Sequence, residues 1–333
     1  MANISKVAGD SRSSTIVKQA PGAPRGGWPD FVYRFLTQAA AWAVLLLLGG
    51  AAASMAWGGR LAFSTFGLHF VTSSQWDVVN GQFGALVPIF GTLVSSAIAM
   101  LIAVPISLGI ALFLTEIAPH WIRTPVAMAI ELLAAIPSII YGMWGLFVFA
   151  PFLAAVVEPW LTEHFGSLPV VGALFSGPPI GIGLLGASIV LGIMIIPFVA
   201  SVSRDVFNAV PPALKEAAVA LGATRWEVLT RVTLPYTRSA VAGAIFLGLG
   251  RALGETMAVT FLIGNSHDLS ASLLMPANSI AATIANEFTE ADTPLYTSSL
   301  IALGFLLFVV TFIVLSLAKV MLARMDRTSG RTH

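Results

Sequence analysis

No charged side chain occurs between Asp77 and Glu116. That run constrains the chain more than any other feature. Folded as a helix at about 1.5 Å per residue, it exceeds the ~30 Å of hydrocarbon in a bilayer. In lipid no water satisfies backbone N–H and C=O groups, so a single spanning segment must be helical. The expectation is therefore an all-α integral membrane protein.

The same reasoning marks six spans. The first runs from Phe35 to Trp57, the second from about Leu86 to Leu114 and the third from about Pro125 to Ala150. The fourth runs from about Ile180 to Ser203, the fifth from about Ser239 to Ile263 and the sixth from Pro294 to Ala318. The first is too long, and lies behind too long a polar leader, for a signal peptide. Several spans hold prolines (Pro88, Pro105, Pro137, Pro197), which neighbouring helices in a membrane tolerate as kinks. Across 333 residues, 57% are hydrophobic and 10% charged, against about a quarter charged in a soluble domain. A net charge of +1 gives no reason to expect nucleic acid as a partner. There are no cysteines, and the five histidines show no ligand spacing, so no metal site is expected.

Basic residues set the expected orientation. With the N-terminus in the cytoplasm, 15 of the 17 Lys and Arg fall on that side; Arg60 lies outside and Arg251 within a span. The expected organisation is a disordered cytoplasmic tail over 1–34, a membrane domain over 35–322 and a short basic cytoplasmic tail over 323–333. Loops at about 58–84, 151–179 and 264–293 face outward. No internal repeat is evident.

The cytoplasmic connection 204–238 is the most informative soluble segment. Pro211 and Pro212 open a short helix and Gly222 closes it. Thr224 and Glu227 have the spacing of a capping box for a second short helix, expected to stop before Pro235. A helix-turn-helix reader of DNA has the same outline but would not be tethered between two spans. On spacing alone, a well-capped loop and a docking unit are equally good readings.

The fifth span carries Gly248, Gly250, Arg251, Gly254, Glu255 and Thr256. A charge near mid-span costs roughly 2.5–3.5 kcal/mol on insertion scales. Glu255, four residues on, would share a helix face with Arg251, and Gly250 with Gly254 would let another helix approach. The plain reading is an ion pair that fixes packing. The functional reading is a polar pathway in which the planar fork of Arg251 meets an oxyanion and Glu255 keeps it oriented. Glu131 sits near the cytoplasmic interface and reads as structural. The run Gly181, Gly183, Gly186 has dinucleotide-site spacing but follows no strand, and there is no phosphate-binding loop of the ATPase type.

Glu216-Ala217-Ala218, then Gly222, then Val232-Thr233-Leu234-Pro235 resembles the EAA loop of ABC importer permeases, with Val232 where that family usually has isoleucine. Two longer runs, Glu131 to Gly145 and Gly248 to Asn265, are similar to the phosphate-specific permeases of the PstC type. The resemblance covers about residues 30–325. It implies a six-span, MetI-like type I importer fold in the bacterial inner membrane. It also implies that 213–222 is a coupling helix in which Glu216, Ala217, Ala218 and Gly222 meet the ATPase, and that Arg251 and Glu255 lie on the substrate pathway. The implied partners are a homologous second permease, two ATPase subunits holding ATP and Mg, and a periplasmic phosphate-binding protein. No cofactor is expected on this chain, nor catalysis. Alternatives left open are a sulfate or molybdate permease, a secondary anion transporter and a sensor of phosphate status. An intramembrane enzyme ranks last, having neither a cysteine nor a histidine within the spans.

Overall fold

The computed structural model describes residues 28–169 and 171–328. They are helical, with isolated backbone bridges and no strand among the described residues. Six helices are long and apolar enough to cross a membrane. The described residues divide into two compact units, on either side of the Ala51–Ala52 bond.

Helix α1, Trp28–Gly58, starts earlier than the sequence suggests, so 28–34 belong to a helix rather than to a polar leader. The rest of the expected N-terminal tail lies outside the described residues. Short helices α2 (Arg60–Phe66) and α3 (His69–Thr72) follow. The second span is α4, Leu86–Ile117, and the fourth is α7, Leu184–Asn208. These two pack along their lengths. Small buried residues on α4 (Ser96, Ala99, Ala103) admit Leu191, Ile195 and Val199 of α7, and Ser107 Oγ donates to Ile196 O at 3.0 Å. In a membrane, close approach through small residues is the main source of helix association.

The third span departs from expectation. The segment 125–150 is not one helix. Helix α5, His120–Ala134, ends before Pro137, and α6 starts afresh at Ser138 and runs to Phe165. Pro137 lacks an N–H, and its ring drives Ile136 away from the helical region. The Tyr141 hydroxyl donates to the Leu133 carbonyl at 3.0 Å, beside the Ile136 N–H at 3.3 Å.

Pro235 does the opposite. The second helix of the 204–238 connection does not stop there but runs on as α9, Arg225–Leu253. A π-helical turn at Leu229–Thr233 absorbs the proline: Leu234 donates five residues back, to Leu229 O. The wide turn moves the carbonyl that the ring would strike. The same device stands two residues before Pro151 and Pro159 in α6, where Ala150 donates to Gly145 O and Glu158 to Leu153 O. At the end of α4, Ala118 donates to Phe113 O and Pro119 follows, but there the helix terminates.

Between α7 and α9 lies α8, Pro212–Ala220. After α9 come a single turn, α10 (Met257–Thr260), then α11 (Ile280–Glu287) and the sixth span α12 (Pro294–Thr328). Residues 323–328, expected in a tail, are therefore helical, and 329–333 lie outside the described residues. The loop 264–293 is not a solvent-facing excursion. Leu274, Asn278, Ile280 and Thr283 are fully buried. Met275 O and Leu273 O accept the N–H groups of Leu184 and Leu185. The loop thus satisfies orphan donors at the start of α7. The expected loop 151–179 is likewise helical as far as Phe165, the end of α6.

Candidate functional site

Arg251 occupies the last turn of α9, and its side chain is exposed. The carbonyl end of a helix favours a cation. The guanidinium carbon lies 5.9 Å from the centre of the Phe198 ring on α7. At about 1.5 Å per residue, Arg251 is roughly 20 Å along the helix from Arg238, two residues before the helix ends.

The expected Arg251–Glu255 pair does not form. The helix ends at Leu253, so the i,i+4 register fails at Gly254. Glu255 instead accepts from the Ala258 N–H at 3.4 Å and closes the turn α10. Among the described residues no ion pair joins it to Arg251. The glycines also sort differently. Gly248 is the close-approach position, since a Cβ there would lie 2.6 Å from Val199 of α7. At Gly250 a Cβ would meet only Leu315 at 3.7 Å, and at Gly254 only the Gly250 carbonyl at 3.7 Å. The face beside Arg251 is therefore open within this chain.

In the connection 204–238 the expected helix, glycine turn and second helix form, the second running on past Pro235. Pro211 precedes α8 and Pro212 opens it. Gly222 has φ +89°, a left-handed backbone that glycine adopts without strain. The capping box is complete: Thr224 Oγ1 accepts from Glu227 N at 3.3 Å, and Glu227 Oε2 accepts from Thr224 N at 2.9 Å. Helix α8 has no buried residue. Glu216 and Ala217 are exposed, Ala218 is half-buried, and Leu221 and Trp226 stand out at 90% and 70% exposure. A groove of about 450 Å³ runs beside Glu116, Lys215, Glu216, Val219 and Val228.

Two ion pairs tie this end of the molecule together. Arg204 Nη2 lies 2.7 Å from Glu131 Oε1 and 3.0 Å from Asp205 Oδ1, joining α7 to α5. Glu131, which the sequence places near the cytoplasmic interface, is thus tied to the fourth span. Lys215 Nζ lies 2.5 Å from Glu116 Oε1, joining α8 to the end of α4. No sequence pattern announces these ties, because the partners are far apart in the chain.

Glu287, at the end of α11, was not foreseen either. Its carboxylate accepts from Trp76 Nε1 at 2.8 Å, Tyr296 Oη at 2.7 Å and His267 Nε2 at 2.7 Å. The His267 ring stacks on Trp76 at 4.9 Å. Burial raises the carboxyl's pKa, but the bonds from His267, Tyr296 and Trp76 outweigh it and bring it below the usual range. The glycines 181, 183 and 186 serve packing: a Cβ at Gly181 would strike the Ala150 carbonyl and one at Gly183 the Leu274 carbonyl.

Six spans, a broken fifth helix and an exposed helix-turn-helix unit between the fourth and fifth spans define a binding-protein-dependent importer permease. The family of binding-protein-dependent transport system inner membrane components matches residues 104–327. The PstC permeases are closer still. The phosphate transport system permease protein PstC of Xylella fastidiosa Temecula1 is 55% identical over 323 residues, covering 96% of this chain and 99% of that protein. PstC of Mesorhizobium japonicum is 56% identical over 301 residues, covering 90% and 92%. A solved bacterial ABC transporter that imports the acidic polysaccharide alginate has a similar fold, with a TM-score of 0.57 at 20% identity over 88% of this chain and 95% of that one. The inward-facing MetNI methionine transporter gives a TM-score of 0.51 at 18% identity, covering 73% and 94%. This chain belongs to the PstC-type permeases of that family and is a multi-pass inner-membrane protein.

Proposed function

We propose that this chain is one of two homologous permeases of an ATP-driven importer of inorganic phosphate. The observation that carries the substrate is near full-length identity of 55% to a PstC phosphate permease. In this reading both termini are cytoplasmic, because that orientation puts the basic residues inside. A binding protein docks on the segments between spans at the other face and releases phosphate between the two permeases. ATP and Mg are held by two separate ATPase subunits, and α8 with Glu216, Ala217, Ala218 and Gly222 seats in one of them.

Arg251 is the phosphate contact. It is exposed, set at the end of a broken helix and free of the expected carboxylate partner, so its donors are available to an anion. Its position over Phe198 holds the fork in place without neutralising it. Glu255 shapes the turn that ends the helix and adds a negative charge near the path, which limits how long phosphate dwells.

The test is ATP-dependent phosphate uptake by proteoliposomes holding this chain with its partners, with Arg251→Gln run beside the parent. Uptake in the parent that is lost in an assembled variant supports the reading. A complex that moves sulfate or molybdate but not phosphate removes the substrate. Uptake that collapses with a protonophore at constant ATP points to a secondary transporter instead.

A further inference from the structure

We infer that the Glu116–Lys215 ion pair is the mechanical link through which α8 drives the membrane domain, so that both are positioning residues for transport. The inference rests on the proposed docking of α8 on the ATPase. Helix α8 buries no residue of its own. A helix so lightly seated could rock on its glycine turn without moving a span. It packs against the first turns of α9, and its ion pair to the second span is Lys215 to Glu116, with the two side chains only 24% and 18% exposed. A partly buried pair is screened less by salt than a surface pair and resists separation.

The place where the tie lands matters. Glu116 lies in the π-helical turn Phe113–Ile117 that ends the second span. That turn leads into Pro119, where the helix terminates. This turn packs against α7, and Leu114 and Thr115 beside Glu116 are buried. One turn further in, Ala111 of α4, Phe207 of α7 and Val241 of α9 form a buried cluster. Helix α9 carries Arg251 at its far end, and α7 carries Phe198. A pull on Lys215 therefore reaches, through packed and bonded side chains, the two helices that position the arginine. The coupling belongs to the pair, so the two residues are tested together.

The experiment measures phosphate taken up per ATP hydrolysed by the full complex in proteoliposomes. It compares the parent with Glu116→Gln, Lys215→Met, Lys215→Arg and the swap Glu116→Lys with Lys215→Glu. Co-purification of the ATPase is scored for each. The expected result is that Glu116→Gln and Lys215→Met keep the ATPase and its hydrolysis but lose at least fivefold in uptake per ATP. Lys215→Arg should stay within twofold of the parent, and the swap should recover more than either single change. A merely structural role would lower assembly and leave the ratio unmoved. The inference is overturned if both single variants keep the parent's ratio. It is also overturned if Lys215→Met releases the ATPase while Glu116→Gln does not, since Lys215 would then act on the ATPase directly. Should the parent move another oxyanion, the same ratio is taken with that ion, which separates the substrate assignment from this one.

Discussion

The Arg251 guanidinium carbon lies 5.9 Å from the Phe198 ring, while Glu255, four residues along the chain, turns to the Ala258 N–H. The arginine that sequence spacing pairs with a carboxylate is therefore held by an aromatic face. The difference matters chemically. A carboxylate would occupy the donors an oxyanion needs, whereas a ring orients the cation and leaves them open.

Truncating the ring should weaken phosphate handling without unfolding the protein. A cation over an aromatic face contributes about 0.5–1 kcal/mol at exposed sites, so Phe198→Ala should raise the KM for uptake roughly two- to fivefold. Phe198→Trp should keep it near the parent value, since tryptophan offers the better face. Uptake kinetics on assembled complexes decide this. An unchanged KM in Phe198→Ala would mean that the ring does not position Arg251.

Two glycines of the second span should respond oppositely to alanine. At Gly91 an added Cβ would meet the Asn278 carbonyl oxygen in sub-van der Waals contact, and that backbone is pinned where Thr92 Oγ1 accepts from Ile280 N at 2.9 Å. Gly91→Ala should lower the melting temperature in detergent by several degrees, through overpacking of roughly 1–3 kcal/mol. At Gly109 a Cβ meets nothing. Gly109→Ala should be neutral or raise stability by up to ~1 kcal/mol, the helix-interior penalty of glycine being removed. Equal effects from the two would contradict the packing described.

Much of the fold was legible because lipid imposes long apolar runs: six spans were expected and six helices are long and apolar enough, although the third lies at Ser138–Phe165 rather than at 125–150. What the prolines do was not legible. Pro105 and Pro197 sit inside regular helices, Pro137 breaks one, and Pro151, Pro159 and Pro235 are carried past by a wide turn. The outcome depends on whether the preceding residue can donate five back rather than four, which neighbours decide. The exposed unit at 211–228 was readable in detail, because capping and glycine turns are local chemistry. The surroundings of Arg251 were only half readable. Its charge stands out in an apolar run, but the expected pairing with Glu255 depended on a helix continuing past Gly254, and that helix ends at Leu253. Phe198, Glu116 and Glu287 act across spans and leave no mark on local sequence.

The left-handed turn at Gly222 gives a local prediction. Nothing lies within 4 Å of a Cβ there, so the strain of Gly222→Ala is purely backbone. A left-handed non-glycine residue costs roughly 1–2 kcal/mol. Hydrogen exchange at the amides of 221–224 should therefore quicken about fivefold or more, while the global melting temperature moves little because α8 is not part of the core. Unchanged exchange would show that the turn is not holding α8 in place.

The carboxylate of Glu287 predicts how the protein answers acid. Burial would push it to hold its proton, but donors from His267, Tyr296 and Trp76 outweigh burial and set its pKa below the usual value. The folded state thus prefers the charged form. Its contribution is fully present above the unfolded carboxylate pKa of about 4.3 and is lost as pH falls through the lower folded value. At neutral pH, Glu287→Gln should cost about 1–3 kcal/mol, because three donors lose a charged acceptor. Melting temperatures in detergent should differ most between the parent and Glu287→Gln from about pH 5 to 7. The gap should narrow below about pH 4, as protonation makes the parent resemble the variant. A gap that widened on acidification would mean that burial wins and that the three bonds do not favour the charged carboxylate.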